Sequence, residues 1–193
     1  DHKFICFTDN TSLHKQIDGD IQFKQFPLFD EQGWWNKMQL FHPGMLEGDT
    51  LYMDLDVVIT GNIDCFFNYE PEADFIGMND FNPDTKIFNS SVMKFKPEAM
   101  KDKLWQPFIN DRQKWLRFSG DQNVISDIIK NKPETRSFPD SWTQSYKWYD
   151  RSGTRYSRQN MTFEHNGESL VTVCHGQPNP HESDQEWVKN AWK

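Results

Sequence analysis

The sequence predicts an α/β domain in which helices cover both faces of a mixed sheet. Short runs of β-branched and aromatic residues recur along the chain, as in buried strands. Segments with apolar residues three and four positions apart lie between these runs, as in amphipathic helices. With 193 residues the chain is long enough for one core and short for two, so we expect one domain over residues 1–193.

Seven segments have the composition of strands. Each is a short apolar run, bounded by turn formers or charged residues. In chain order they are KFICFTDN, IQFKQF, TLYMDL, VVIT, ADFIGM, SSVMKF and LVTVCH. Ligands of α/β sheets collect where strands end, so polar residues after these runs are candidate site residues.

Three further segments have the spacing of helices. GWWNKMQLF places Trp34, Met38 and Phe41 on one face, and DQNVISDIIKN has a similar aliphatic face. SDQEWVKNAW begins with Ser183 and Glu186, which have the spacing of a capping box. Strands that alternate with helices in this way are typical of an α/β sheet.

Charge and composition exclude several classes of function. The chain carries 21 Lys and Arg against 29 Asp and Glu, a formal net charge of −8, which opposes binding to nucleic acid or to an anionic membrane. No apolar run approaches the roughly 20 residues that span a bilayer, and the first residues lack the layout of a signal peptide. Cys6, Cys65 and Cys174 lack metal-ligand spacing and lie beside apolar runs, so we expect free thiols in a reducing cytoplasm.

Two carboxylates interrupt the apolar segment LYMDLDVVITGNIDCFF. Residues two apart in an extended strand point to the same side, so we expect Asp54 and Asp56 to share one ligand while Leu55 faces the core. Like charges this close raise a carboxyl pKa unless a cation lies between them. Carboxylate oxygens suit magnesium and manganese, and an added imidazole favours manganese. The alternative is that both acids merely end a strand.

His175 is the candidate imidazole. It follows the strand-like run LVTVC, so it would lie at a strand end, where the two aspartates also lie if the strands are parallel. A histidine in such a place is more often a packed or surface residue. The two aspartates make it a candidate third ligand.

Taken in order, these motifs resemble those of the metal-dependent GT-A glycosyltransferases, in particular the glycogenin-like branch and its small bacterial and phage relatives. YMDLDVVITGNIDCFF is similar to the Asp-x-Asp signature of that branch, and GWWNKMQLF places Lys37 where the family has a donor-binding lysine. FNSSVMKF is similar to the family's Asn-Ser/Ala-Gly strand, SGDQNVI to its Asp-Gln helix start, and CHGQPNP to its His-x-x-Gly region. A single such motif is weak evidence, whereas five in one order indicate a relationship.

The resemblance implies a GT-A fold and the transfer of a sugar from a nucleoside-diphosphate sugar to a hydroxyl acceptor. A UDP-sugar is the favoured donor and a GDP-sugar the alternative. It also implies Mn²⁺, with Mg²⁺ as the alternative, bound by Asp54, Asp56 and His175. Such a metal stabilises the negative charge that develops on the departing diphosphate.

The resemblance also assigns roles around the donor. Lys37 and Asp54 would bind it, and Asn89 and Ser90 would lie near its sugar. Asp121 and Gln122 would face the reacting carbon. Asp121 would deprotonate the acceptor in an inverting enzyme, whereas the departing phosphate takes that role in a retaining one. The alternatives are a carboxylate that stabilises a helix N-terminus for Asp121 and a bulge or turn amide for Asn89.

Departures from the family pattern give other residues candidate roles. Gln177 and Asn179 stand where the family has a diphosphate-binding lysine, so Lys147 is the candidate phosphate contact. The first segment resembles the family's second strand, so we expect a minimal or N-terminally incomplete domain. Thr8 and Asp9, which follow that strand, are then candidate donor contacts.

Residues 138–163 form a polar, aromatic and locally basic segment that we interpret as mostly loop. It is either a solvated excursion or a closure over an anionic ligand. Its aromatic residues either stack on an acceptor sugar or pack in the core and the loop. These residues are Trp142, Tyr146, Trp148 and Tyr149.

Two other classes of function stay open. MDLDVVIT also resembles the strand of haloacid dehalogenase-type phosphohydrolases, in which the first aspartate is a nucleophile. An inactive nucleotide-sugar-binding module would bind nucleotide with metal and transfer nothing.

Overall fold

Nine strands are present in the part of the chain that the structure describes. The structure is a computed structural model, and it describes residues 2–10, 12, 19–28, 33–82, 84–147 and 164–192. The strands are β1 (Phe4–Phe7), β2 (Ile21–Lys24), β3 (Thr50–Met53), β4 (Val57–Ile59), β5 (Phe75–Asn79), β6 (Phe88–Phe95), β7 (Thr135–Ser137), β8 (Thr143–Ser145) and β9 (Val171–Val173). Each of the seven predicted strand segments contains or overlaps one of them.

Six α-helices occur in the same described residues. They are α1 (Asp64–Asn68), α2 (Pro97–Met100), α3 (Gln106–Asn110), α4 (Arg112–Trp115), α5 (Asp121–Ile129) and α6 (Glu186–Ala191). A π-helical segment, Lys101–Trp105, joins α2 to α3, and 3₁₀ helices span Gly33–Phe41, Asp140–Trp142 and Pro180–Glu182. No helix among these residues is long and apolar enough to cross a membrane.

The largest sheet has four strands in the order β3-β6-β5-β7. β6 runs antiparallel to both β3 and β5, whereas β5 and β7 are parallel, so the sheet is mixed as predicted. β1 and β2 form a parallel pair, and a third sheet has the order β4-β9-β8.

Apolar side chains cover both faces of the four-stranded sheet. Met93 and Phe95 of β6 pack in one buried cluster with the 3₁₀ helix Gly33–Phe41, the helical residues 97–115 and α5. Val92, the neighbour of Met93, packs in a second cluster with α1, β4 and β9. Successive residues of a strand point to opposite faces, so each face has its own core. The predicted architecture is therefore confirmed.

β6 is irregular where it passes the candidate site. Gly77 of β5 pairs with Met93, whereas the next residue of β5 pairs with Asn89, so the register shifts between these two steps. The β6 residues between the two pairs form a bulge that includes Ser90 and Ser91. The side-chain oxygen of Asn89 accepts a hydrogen bond from the Ser91 amide at 2.9 Å, which is the bulge role named as the alternative for Asn89.

Candidate active site

The end of β3, the bulge of β6, the start of α5 and the end of β9 meet at a cavity of about 350 Å³, here called the acidic cavity. Most of the residues that the sequence singles out line it. They are Lys37, Asp54, Asp56, Asn89, Ser90, Asp121, Gln122 and His175. The fold thus gathers side chains that are far apart in the sequence.

Antiparallel pairing brings His175 next to the two aspartates. Val57 of β4 lies opposite Val173 of β9, so the start of β4 lies beside the end of β9. The amide of Cys174 donates a hydrogen bond to the carbonyl oxygen of Asp56 at 2.9 Å. β4 and β9 are antiparallel, whereas the two strand ends that the sequence places near each other, those of β3 and β9, both lie at the acidic cavity.

The Asp-x-Asp segment is a turn and not an extended strand. β3 ends at Met53, and the Val57 amide donates a hydrogen bond to the Asp54 carbonyl oxygen at 3.2 Å. Leu55 lies in this turn with 86% of its surface exposed. The prediction that Leu55 faces the core is therefore wrong, because the turn ends the alternation of strand side chains on which it rested.

Lys37 is the internal counter-ion of the acidic cavity. Its Nζ lies 2.9 Å from Oδ1 of Asp54 and 3.3 Å from Oδ2 of Asp121, and only 9% of the side chain is exposed. It also donates a hydrogen bond to Oγ of Ser90 at 3.0 Å. Ion pairs removed from water in this way are screened much less than surface pairs. Lys37 therefore pairs with two acids from different parts of the chain and offsets one of their two negative charges.

Asp121 is held at the first turn of α5. Ser90 Oγ donates a hydrogen bond to Asp121 Oδ2 at 2.6 Å, and the carboxylate lies where the helix dipole favours negative charge. Nε2 of the neighbouring Gln122 is 3.4 Å from Oδ2 of Asp80. The hydroxyl of Ser126 on α5 accepts a hydrogen bond from the Phe88 amide at 2.8 Å, which fixes the helix to β6.

Tyr52 is a residue of the site that the sequence analysis missed. Its hydroxyl donates a hydrogen bond of 2.6 Å to Oδ1 of Asp54. Burial raises the pKa of this phenol far above its usual range, and the charge of Asp54 adds to the effect, so the hydroxyl stays protonated. A signal was available, because Tyr52 precedes Asp54 by two positions at the end of a strand.

Asp56 differs from Asp54 in having an oxygen without a partner. Among the described residues, Oδ1 of Asp56 is buried and makes no hydrogen bond. Burial raises the pKa of this carboxyl, and the charge of Asp54 raises it further. A divalent cation would supply the missing positive charge and would suit a carboxylate oxygen. The donor atoms therefore fit Mn²⁺ or Mg²⁺.

His175 also lines the acidic cavity, where its side chain contacts Ser145 and Phe81. Its Nε2 lies 2.7 Å from Oγ of Ser145, and its ring stacks on Phe81 with a centroid distance of 5.7 Å. In the described part of the chain, no three His, Cys, Asp or Glu side chains are grouped as a metal shell. Asp54, Asp56 and His175 thus share the cavity without forming a ready-made set of three ligands.

Lys147 lies next to His175 and is not part of the cavity lining. Its Nζ donates a hydrogen bond to the carbonyl oxygen of His175 at 2.6 Å. Burial lowers the pKa of Lys147, and the nearby Cys174 and Asp56 oppose this shift. Gly176 has a φ of +71°, and a Cβ at this position would lie 3.2 Å from the Lys147 ammonium. The glycine therefore allows the lysine to approach.

The remaining candidates lie elsewhere. Thr8 and Asp9 follow β1. They line neither the acidic cavity nor the larger cavity beside it, which is described below. Trp142 packs against Phe66, and Tyr146 is buried with only 2% of its surface exposed, so both have the packing role that was named as the alternative. Trp148 and Tyr149 lie outside the described residues.

A larger cavity of about 960 Å³ adjoins the acidic cavity, and Trp34, Lys37, Asp54 and Asp56 line both. Apolar residues of β1 and β3 form much of its remaining wall. Trp34 is 59% exposed and Leu55 faces this space. The Asp-x-Asp turn therefore lies between two cavities that differ in polarity.

Comparison with known proteins gives one relative in sequence. No family model matches the chain. The chain is 31% identical to glycogenin from Komagataella phaffii over 143 residues, which are 72% of this chain and 32% of that protein. The chain therefore spans about a third of the length of the curated relative it matches.

Solved structures show the same fold. The glycosyltransferase GlyE of Streptococcus pneumoniae TIGR4 superimposes with a TM-score of 0.62 at 17% identity, covering 90% of this chain and 49% of GlyE. The galactosyltransferase LgtC, solved with donor and acceptor sugar analogues, gives a TM-score of 0.59 at 14% identity, covering 90% of this chain and 72% of LgtC. The fold is that of the GT-A glycosyltransferases. Together with the sequence relative, it identifies the chain as a glycogenin-like member of that family.

Proposed function

We propose that the chain is a metal-dependent glycosyltransferase that moves a sugar from a nucleoside-diphosphate sugar to a hydroxyl acceptor. The observation that carries the proposal is the buried, unpaired oxygen of Asp56 beside Asp54, in a cavity that also contains Lys37, Asp121 and His175. A buried carboxylate oxygen without a hydrogen-bond donor is unfavourable unless a cation binds there. The family relationship supports the same activity.

Asp54, Asp56 and His175 would hold the metal, which is Mn²⁺ in our proposal and Mg²⁺ in its alternative. When bound, the metal would stabilise the negative charge on the departing diphosphate. His175 reaches this role by turning its imidazole from Ser145. Lys147, which already lies beside the His175 carbonyl, is the proposed phosphate contact.

The donor sugar would lie against the bulge of β6 and the start of α5. In the transfer, the bond between the anomeric carbon and the phosphate oxygen breaks, and a bond from that carbon to the acceptor oxygen forms. The acceptor proton goes to Asp121 if the enzyme inverts, or to the departing phosphate if it retains. Ser90 and Lys37 orient the Asp121 carboxylate through its Oδ2, and Asn89 and Gln122 complete the surroundings of the sugar.

The donor and the compartment are parts of the same proposal. A UDP-sugar is favoured over a GDP-sugar, as the resemblance of the motifs to the glycogenin-like branch implies. The proposed compartment is the cytoplasm, supported by three free cysteines. Burial, with the nearby charge of Asp56, raises the pKa of Cys174 to about 12, so this thiol is a packed and unreactive group.

Thermal unfolding with UDP and Mn²⁺ tests the proposal. We expect the pair to raise the melting temperature of the wild type by several degrees, since a ligand that binds only the folded state stabilises it. The Asp56→Ala variant should fold and show no rise. An equal rise in the melting temperature of this variant would show that Asp56 does not bind the cation.

Two further readouts separate the alternatives. An inactive binding module would show the thermal shift but release no nucleotide from any activated sugar. A haloacid dehalogenase-type phosphohydrolase would release phosphate from aryl phosphates with Mg²⁺ alone, and the comparisons do not favour this class.

A further inference from the structure

We propose that Tyr52 is a positioning residue whose hydroxyl fixes the Asp54 carboxylate for the cation and the donor. This inference rests on the proposed function and deepens it. Tyr52 acts through Asp54, because it does not itself line the acidic cavity.

Two donors from different elements converge on the Asp54 carboxylate. The Tyr52 hydroxyl on β3 donates to Oδ1 at 2.6 Å, and the Lys37 ammonium on the 3₁₀ helix lies 2.9 Å from Oδ1 and 3.0 Å from Oδ2. A hydrogen bond of this length to a charged oxygen is among the stronger kinds. Together the two contacts define the orientation of the carboxylate plane.

The phenol ring is itself held in place. Tyr52 pairs with Met93 across β3 and β6, and its ring packs against the larger of the two sheet cores. The Lys37 ammonium lies 5.5 Å from the ring centroid. A tyrosine has only two side-chain torsions to fix, so packing of the ring determines the position of the hydroxyl.

These contacts divide the roles of the two aspartates. Asp54 has protein donors on both of its oxygens, whereas Oδ1 of Asp56 has none among the described residues. The protein thus fixes the orientation of the Asp54 carboxylate, whereas Oδ1 of Asp56 is left for a cation to bind. Outer contacts that orient a metal ligand typically contribute ten- to a hundredfold to metal affinity.

The experiment measures binding of Mn²⁺ alone to the full chain by titration calorimetry. Tyr52→Phe removes only the hydroxyl, and we expect Mn²⁺ affinity to fall by about tenfold. Tyr146→Phe is the matched control, because Tyr146 is a buried tyrosine whose hydroxyl lies 2.6 Å from Oγ of Ser183. This variant also loses one buried hydroxyl contact, and it should bind Mn²⁺ as the wild type does.

A double-mutant cycle with Asp54→Asn checks that Tyr52 acts through Asp54. We expect the effects of Tyr52→Phe and Asp54→Asn on the unfolding equilibrium, measured without metal, to be coupled rather than additive. Unchanged Mn²⁺ affinity in Tyr52→Phe, or additive effects in the cycle, would overturn the positioning role. A wild type that binds no Mn²⁺ would instead overturn the proposed function.

Discussion

Asp56 is an acid of the acidic cavity whose negative charge the described residues compensate poorly. Lys37 forms ion pairs with Asp54 and Asp121 at distances of 2.9 and 3.3 Å, whereas Oδ1 of Asp56 has no hydrogen-bond donor in the described residues. Binding sites often keep such unfavourable groups, because a ligand later compensates them. Removal of the charge should therefore stabilise the protein without metal.

We expect Asp56→Asn to unfold at a higher temperature than the wild type at pH 7 in the absence of metal. Burial and the charge of Asp54 raise the pKa of Asp56 above its unfolded value. Its contribution to stability is thus fully present below the unfolded pKa of about 4 and is lost as the pH rises through the folded value. Melting temperatures of both proteins between pH 4 and 8 should diverge as the pH rises. A less stable variant at pH 7 would contradict this account.

Lys37→Met should lower the free energy of unfolding by about 3 kcal/mol, since it leaves two largely buried carboxylates without their counter-ion. Urea unfolding without nucleotide or metal measures the change. Lys103→Met is the control, because Lys103 pairs with Asp74 and Glu134 at a partly exposed position and should lose at most about 1 kcal/mol. Equal stability of Lys37→Met and the wild type would mean that Lys37 does not stabilise the fold and acts only in donor binding.

The sequence predicted which polar residues lie together but not how they contact one another. Asp54, Asp56 and Asp121 were recognised from motifs, and the cavity contains all three. The exposure of Leu55 was not predicted, because a turn of four residues leaves no periodic signal. The role of Tyr52 also went unrecognised, since an aromatic residue in an apolar strand is ordinarily a packing residue.

The strands and helices place these residues through three local irregularities. β3 ends in a turn at the Asp-x-Asp segment, β6 bulges at Ser90 and Ser91, and β9 is followed by Gly176 with a φ of +71°. Each irregularity directs polar groups away from a regular ladder and into the cavity. Bulges and turns next to active sites serve the same purpose in many proteins.

Gly176→Ala should weaken the binding of UDP and Mn²⁺ more than the backbone strain of the alanine alone explains. The added Cβ would lie 3.2 Å from Nζ of Lys147, so the lysine has to move from the His175 carbonyl. Gly167→Ala is a matched control, because Gly167 has a φ of +79° and, beyond its two chain neighbours, no described residue has an atom within 4 Å of the added Cβ. Both variants should lose about 1 to 2 kcal/mol through strain, and only Gly176→Ala should weaken the thermal shift with UDP and Mn²⁺. Equal responses to the ligands would exclude a role for Lys147 in binding.

Elements with an apolar pattern were predicted, and short polar ones were not. α5 begins at Asp121 as expected, whereas β7 (TRS) and β8 (TQS) are three-residue strands without an apolar run. The capping box predicted at Ser183 and Glu186 is wrong, since α6 begins at Glu186 after Gln185. A capping box is present instead at Asn179 and Glu182, at the start of a 3₁₀ helix.

For the whole molecule, the order of motifs along the chain predicted the fold better than any local pattern did. Residues from Lys37 to His175 converge on one cavity because strands from two sheets end there. Sequence patterns could not predict the antiparallel pairing of β4 and β9, because hydrophobic alternation does not encode strand direction. The family resemblance predicted the fold but not this strand direction, and the fold comparisons confirm the fold.

The central claim is that the acidic cavity transfers sugar with a metal at Asp54 and Asp56. The most direct test incubates the protein with a panel of UDP-, GDP- and other activated sugars and Mn²⁺, and measures the released nucleotide. We predict release from one class of donor, loss of that release with a chelator, and at least a hundredfold slower release in Asp56→Asn. Release from no donor, or release that is equal with and without metal, would contradict the account.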